Sequence, residues 1–239
     1  MKKINKILII ILVLINLFLI LLNIEFSGYF YHNDINASKY EIHGIDISHH
    51  QIRINWQKVD KNYKFVLIKA TEGKDFSDKD FLYNWNKARL NGFAVGAYHF
   101  FSMTSSGKDQ AKYYISKVPR IKNSFPPIID VELSSKYEKE KVIKELVDFI
   151  KIVEKHYKKK VIIYTDYKSY TNYIKNNLVD NYLWFRDIRK TPYIEENDRW
   201  IIWQYSNRGL VDGISGFTDK NVLRKNDINW YINEQGIKK

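Results

Sequence analysis

Eight short apolar runs recur along the chain, each set off from the next by a polar or amphipathic stretch. They lie at residues 44–47, 65–69, 93–101, 127–132, 161–165, 182–185, 200–205 and, more weakly, 217–223. Most are rich in Val, Ile and aromatic residues, and several are apolar on consecutive positions, as strands buried on both faces require. Between them lie helix candidates. The clearest is 139–156, where Val142, Leu146, Phe149, Ile150 and Val153 form one stripe. Residues 80–91 end in Asn91-Gly92, a helix stop, and 108–117 and 167–176 are further candidates. Strand–helix alternation predicts a parallel sheet with helices outside. About eight strands in so short a span predict an abbreviated, irregular TIM-like β/α barrel. An open doubly wound sheet is the alternative, but no glycine-rich phosphate loop follows the first strand candidate.

The N-terminus speaks to location. Residues 7–22 are almost uninterrupted Ile, Leu, Val and Phe, broken only by Asn16; with Asn23 and Ile24 the stretch reaches 24. At 1.5 Å per residue it spans roughly 27 Å, close to the hydrocarbon thickness of a bilayer. Lys2, Lys3 and Lys6 precede it and should remain cytoplasmic, which directs the rest of the chain outward. A cleaved signal peptide, giving a secreted protein, is the alternative; it needs small residues at its cleavage site, and no Ala occurs before Ala37. The expected organisation is a cytoplasmic stub and single-pass signal-anchor over 1–24, a tether over 25–43, a barrel over 44–225 and a tail over 226–239. Phe26, Tyr29, Phe30 and Tyr31 fall where an interfacial aromatic belt belongs.

The chain holds no cysteine, which excludes disulfides, zinc-thiolate sites and thiol nucleophiles. Its net charge of +12 draws it toward polyanions. The Lys residues do not gather into an arginine-rich stripe, so nucleic acid is not an expected partner. A monomer is expected.

Polar residues collect at the ends of the predicted strands. Asp46 ends the first; Lys69 and Glu72 lie at the second; Tyr98 and His99 near the end of the third; Asp130 and Glu132 end the fourth. Tyr164 ends the fifth, Trp184 and Arg186 the sixth, Gln204 the seventh, and Asp219 sits in the last. In a β/α barrel these ends form one rim, where such folds keep their chemistry. Asp130 and Glu132 are the sharpest pair, because residues i and i+2 of a strand share a face. Two carboxylates side by side do not ionise together easily, so one is pushed toward its protonated form. A carboxylic acid that stays protonated near neutral pH is what glycosidic cleavage needs, since the leaving oxygen must receive a proton. The spacing alone also fits a structural ion pair with Lys69 or Arg186. His49 and His50 are adjacent and make a poor chelate, and Lys158, Lys159 and Lys160 suit a helix C-terminus.

Several motifs together resemble one family. Asp46-Ile47-Ser48-His49-His50-Gln51 with Asn55-Trp56, then Lys69-Ala70-Thr71-Glu72-Gly73, Gly96-Ala97-Tyr98-His99-Phe100, Asp130-Val131-Glu132, Trp203-Gln204-Tyr205 and Gly213-Ile214-Ser215-Gly216 to Asp219 resemble, in order and spacing, the glycoside hydrolase family 25 lysozymes. The resemblance covers residues 44 to about 223. It implies five β/α units plus three further strands, and N-acetylmuramidase activity on peptidoglycan glycan strands at the β-1,4 bond after N-acetylmuramic acid. By motif position Glu132 is the general acid. Asp130 assists by orienting the substrate's 2-acetamido group as internal nucleophile. Asp46 and Asp219 match the remaining acidic positions, and Tyr98, Tyr164, Trp184 and Gln204 match glycan contacts. No metal and no other cofactor is implied. The chain departs from the pattern at Ile52-Arg53, where relatives carry Gly, and at the bulky Trp184-Phe185-Arg186-Asp187. A glycan-binding barrel without activity and a basic polyanion-binding membrane protein are the other readings; the four acids favour an enzyme.

Overall fold

The computed structural model of the chain describes residues 2–194 and 199–233. Helix α1 (Lys2–Phe26) stands clear of the rest, its apolar side chains exposed on all sides. It is long and apolar enough to cross a membrane. Its Asn16 and Asn23 amides donate back to the Leu12 and Leu19 carbonyls (2.8 and 3.3 Å), so neither polar group depends on a partner outside the helix.

The remainder is built on strands β1 (His43–Ile47), β2 (Tyr63–Glu72), β3 (Phe76–Ser77), β4 (Ala94–Phe100), β5 (Ile128–Val131), β6 (Ile162–Thr165), β7 (Leu183–Arg186), β8 (Trp200–Gly209) and β9 (Thr218–Leu223). The sheet runs β1-β9-β8-β7-β6-β5-β4-β2-β3, and β1 also pairs with β2, which closes an eight-stranded barrel and leaves β3 as a short flap. Within the barrel, pairing is parallel among β1, β2 and β4 through β8 and antiparallel on both sides of β9; the flap β3 pairs antiparallel with β2. The closed barrel with helices outside is the expected fold class. The helices are α2 (Asp34–Ala37), α3 (Phe81–Leu90), α4 (Gly107–Lys117), α5 (Lys139–Tyr157), α6 (Tyr167–Ser169) and α7 (Ile228–Asn233).

Period-two alternation sorts the strand residues. Ile45, Val66, Ile68, Val95, Ala97, Ile129, Val131, Ile163, Leu183, Phe185, Trp203 and Val222 join the outer core under the helices. Phe65, Leu67, Tyr98, Ile128, Ile162, Tyr164, Trp184, Ile202 and Leu223 fill the barrel. Gly44 and Gly96 make room for that filling: a Cβ at Gly44 would meet the Phe65 ring at 2.5 Å, and one at Gly96 would meet Leu67 at 2.7 Å. The stripe expected on α5 is buried, with Val142, Leu146, Phe149 and Val153 fully inaccessible.

Three expectations change. Residues 25–43 are only briefly a tether. From Gly28 the segment lies against the barrel, Asn33 donating to the carbonyls of Tyr205 (3.1 Å) and Asp187 (3.4 Å). Tyr40 meets Trp200 and Trp203 edge-on at about 6 Å. The reason is a gap in the helical layer: no helix stands between β8 and β9, and this segment covers the indoles that β8 turns outward. The tail over 226–239 likewise begins as structure. In α7, Tyr231 is buried beside Phe125 at the barrel floor and donates to the Ile201 carbonyl at 3.0 Å. The Lys159 amine reaches the carbonyls of Ser124 and Ile232, both at 2.7 Å, so the basic run also ties the floor together. Residues 167–176 are not one regular helix: α6 widens into a π turn over Tyr170–Ile174.

Candidate active site

The strand ends place the acids. Asp130 is the third residue of β5, and Glu132 follows the strand's last residue. Asp46 on β1 pairs in register with Asp219 on β9. Because β9 runs against the others, its amino end meets their carboxyl ends, and Asp219 joins the same rim.

Beneath the rim the polar side chains form one network. Gln204 donates from one amide nitrogen to Asp46 Oδ2 (3.0 Å) and Asp219 Oδ2 (3.1 Å). Its carbonyl oxygen accepts from the Tyr164 hydroxyl at 2.9 Å. Asn221 donates to Asp46 Oδ2 at 2.7 Å and accepts from the Trp184 indole at 2.7 Å. Each buried group is satisfied by its neighbour, and the carboxylates are held in place by donors that are themselves fixed. Asp130 is the exception: it is buried, and its Oδ1 has no hydrogen-bond partner. Glu132 is exposed at the mouth and, among the described residues, engages no hydrogen bond or ion pair.

Burial dominates the proton affinities. It pushes Asp130 well above the usual carboxylate range, and the neighbouring Glu132 charge adds to this while Lys69 opposes it. Glu132 is also raised, by desolvation of the part packed into the rim, against the pull of Arg186. Asp46 is raised to about 6 by burial, with Asn221 and Gln204 holding it down. Asp219 is raised to about 9 by burial and by the Asp46 charge beside it. Burial thus biases the Asp46–Asp219 pair toward sharing a proton, with Asp219 the more basic of the two. Such a set places a carboxyl of raised proton affinity at the mouth and a buried carboxyl with an unpartnered oxygen below it.

The eight residues to which the resemblance gives roles all face this end of the barrel, but not all as expected. Trp184 is 1% exposed and has no free face for a sugar. It and the buried Tyr164 and Gln204 support the acids from below instead. Tyr98, also buried, lies edge-on to Trp184 at 6.0 Å. Asn221 was not singled out, although it sits two residues beyond Asp219 on the same strand face, a period-two signal. Lys69 bridges Glu72 at 2.7 Å beside Asp130, and Arg186 is the cation whose field reaches Glu132, Asp46 and Asp219. Arg186 also opens onto a cleft of about 690 Å³ with Asp166, Tyr167, Asp187, Arg189 and Lys190. His49 lies on a turn after β1 and bonds Asp78 at 2.9 Å; His99 is sandwiched between Thr71 and Gln110 outside the barrel. Among the described residues no three His, Cys, Asp or Glu side chains converge in a way that could hold a metal ion.

Comparisons with known proteins identify the family. The family model described as glycosyl hydrolases family 25 matches residues 45–214. The uncharacterised protein YegX of Escherichia coli (strain K12) is 37% identical over 192 residues, covering 78% of this chain and 71% of that one. Lysozyme M1 of Streptomyces globisporus is 30% identical over 203 residues, covering 75% and 67%. Among solved structures, a family 25 glycosyl hydrolase from Bacillus anthracis superposes with a TM-score of 0.77 at 39% identity, covering 83% of this chain and 95% of that one. A bacterial lysozyme from Streptomyces coelicolor gives 0.74 at 28% identity, covering 82% and 98%.

Proposed function

The chain belongs to glycosyl hydrolase family 25 and is a glycoside hydrolase acting on peptidoglycan; from that premise we propose that it cleaves the β-1,4 bond between N-acetylmuramic acid and N-acetylglucosamine, with Glu132 as the general acid. The observation that carries the assignment is the end of β5: two carboxyls with raised proton affinity, one exposed and unengaged, the other buried with a free oxygen.

Glu132, at the open mouth, delivers its proton to the departing oxygen. Asp130 Oδ1 accepts the N–H of the substrate's 2-acetamido group and turns the acetamido oxygen toward the anomeric carbon. That oxygen attacks as the leaving oxygen is protonated, and a cyclic intermediate forms; water, deprotonated by Glu132, then opens it. Placement two residues apart at the end of one strand supports this route, because two carboxylates flanking a sugar in the ordinary retaining manner sit about 5 Å apart on opposite sides of the bond. Asp46 and Asp219, sharing one proton, hold the shape and charge of the rim beneath the substrate. Mass spectrometry of purified peptidoglycan treated with the full chain tests the bond: muropeptides with N-acetylmuramic acid at the reducing end are expected, and N-acetylglucosamine ends would overturn the assignment. NMR of the first product tests the route: a β anomer is expected, and an initial α anomer would exclude it.

The same reading includes location. Helix α1 serves as a retained signal-anchor, residues 1–24 in and before the membrane, with the barrel on the extracytoplasmic side. Its length, its apolar surface and its basic N-terminus support this.

A further inference from the structure

The end of α1 does not lead into a free linker. Gly28 is buried with φ +83°, and its carbonyl accepts from Leu210 N at 3.0 Å. A Cβ there would strike the Arg208 carbonyl at 2.7 Å and the Phe217 ring at 2.8 Å, so the chain is pressed against the β8–β9 hairpin. The Arg208 guanidinium lies 4.6 Å over the Phe26 ring and 5.4 Å over Tyr31. His32 bonds Glu25 at 2.6 Å on one side and the Arg189 carbonyl at 2.9 Å on the other. Arg189 follows the end of β7, Arg208 lies at the end of β8, and Phe217 precedes β9. All three belong to the end of the barrel that carries Asp130 and Glu132.

The anchor is therefore clamped to the catalytic rim, not to the floor. The surface where it docks is amphipathic: Tyr29 (82% exposed), Phe30 (40%), Leu210 (38%) and Phe217 (50%) show their rings and side chains to solvent. Exposed Arg189, whose carbonyl His32 contacts, borders this segment, and exposed Lys190 follows it in the chain. Aromatic residues with Arg and Lys directly outside a membrane span are the composition of the headgroup zone. The patch is continuous with the span itself, since Phe26 is the last residue of α1.

We infer that the barrel rests rim-first on the membrane, its substrate opening turned toward the bilayer, with Tyr29, Phe30, Leu210 and Phe217 in the headgroup zone. The inference rests on the retained-anchor reading and adds the orientation. It makes the substrate the glycan that lies between enzyme and bilayer: strands still close to, or attached to, the membrane surface.

The chain has no cysteine, so single fluorophores can be placed cleanly. Full-length Phe18→Cys, Tyr29→Cys, Phe217→Cys and Lys122→Cys variants are labelled and reconstituted in phosphatidylcholine–phosphatidylglycerol vesicles carrying spin labels on the acyl chain or on the headgroup. Phe18 lies within α1, and Lys122 is exposed at the opposite end of the barrel. The Phe18 label should be quenched from the acyl chain. The Tyr29 and Phe217 labels should be quenched from the headgroup at least threefold more than the Lys122 label. An embedded Phe18 label with equal quenching at both barrel ends, or more at Lys122, overturns the orientation alone. An unquenched Phe18 label overturns the anchor reading and the orientation with it.

Discussion

On the proposed mechanism, Glu132 and Trp184 separate proton transfer from scaffolding. Glu132→Gln keeps the side chain's size and removes its proton, and kcat should fall by about 10²–10⁴-fold with folding unchanged. Turnover within a few-fold of wild type would remove Glu132 from the acid's role. Trp184→Phe withdraws the donor to Asn221 and strands a buried amide oxygen, which costs about 1–3 kcal/mol of stability. Because the indole lies under the acids, kcat should drop while KM stays near wild type; a raised KM with unchanged kcat would restore Trp184 as a sugar contact. Asp219 gives a pH signature. Its affinity for protons is higher folded than unfolded, so its contribution to stability is full below about pH 4 and is lost as pH rises toward 9. Asn at this position mimics the protonated acid, accepting from Gln204 and donating to Asp46. Thermal melts should show the Asp219→Asn variant losing less stability than wild type between pH 5 and 9. A parallel decline in both would show that Asp219 is not the group that titrates. Most of these residues were legible in the sequence because each ends an apolar run. Their division into exposed acid and buried support was not, since it depends on how deep each position falls within a closed barrel.

At the level of elements, the eight apolar runs became the eight barrel strands because both-face burial leaves a continuous apolar signature whatever the topology. Strand direction is written elsewhere. Only residues 210–217 join β8 to β9, too few for a parallel crossover of about a dozen residues, so the last strand must turn back. That reversal brings Asp219 to the rim. The covering role of residues 31–42 could not be seen locally. Tyr31, Asn33 and Tyr40 read as polar-aromatic linker until a helix is found missing over the outward indoles of β8. A chain beginning at residue 44 should therefore melt well below one beginning at residue 27. Asn33 alone bonds two backbone carbonyls, and Tyr31 and Tyr40 bury further apolar area. Losing several kcal/mol from a domain of this size lowers Tm by about 2–4 °C for each one. Equal melting temperatures would mean that the segment lies on the barrel without supporting it.

For the whole molecule, the clamp fixes reach. Read as a free tether, residues 25–43 would let the barrel range up to about 65 Å from the bilayer. With Gly28 docked, the slack between the end of α1 and the barrel is one or two residues, on the order of 5 Å. A barrel of this size has a radius of gyration of about 17 Å. On the retained-anchor reading the acids are confined to the layer next to the membrane, and the basic charge that remains beyond the span once Lys2, Lys3 and Lys6 are set aside favours the anionic surface further. Confinement should appear as a difference between presentations of the same substrate. Full-length enzyme in detergent should solubilise isolated cell-wall fragments. The same amount in vesicles should act on those fragments at least about tenfold more slowly, because their glycan does not enter the layer under the rim. Glycan attached to the vesicle's own lipid should be cut in the vesicles without that loss. A flexible Gly/Ser insert of about 20 residues after Phe26 would add a root-mean-square span of roughly 25 Å. It should restore much of the activity on fragments while leaving activity in detergent unchanged. If wild type and the insert digest fragments equally well from vesicles, the clamp does not govern which glycan is reached.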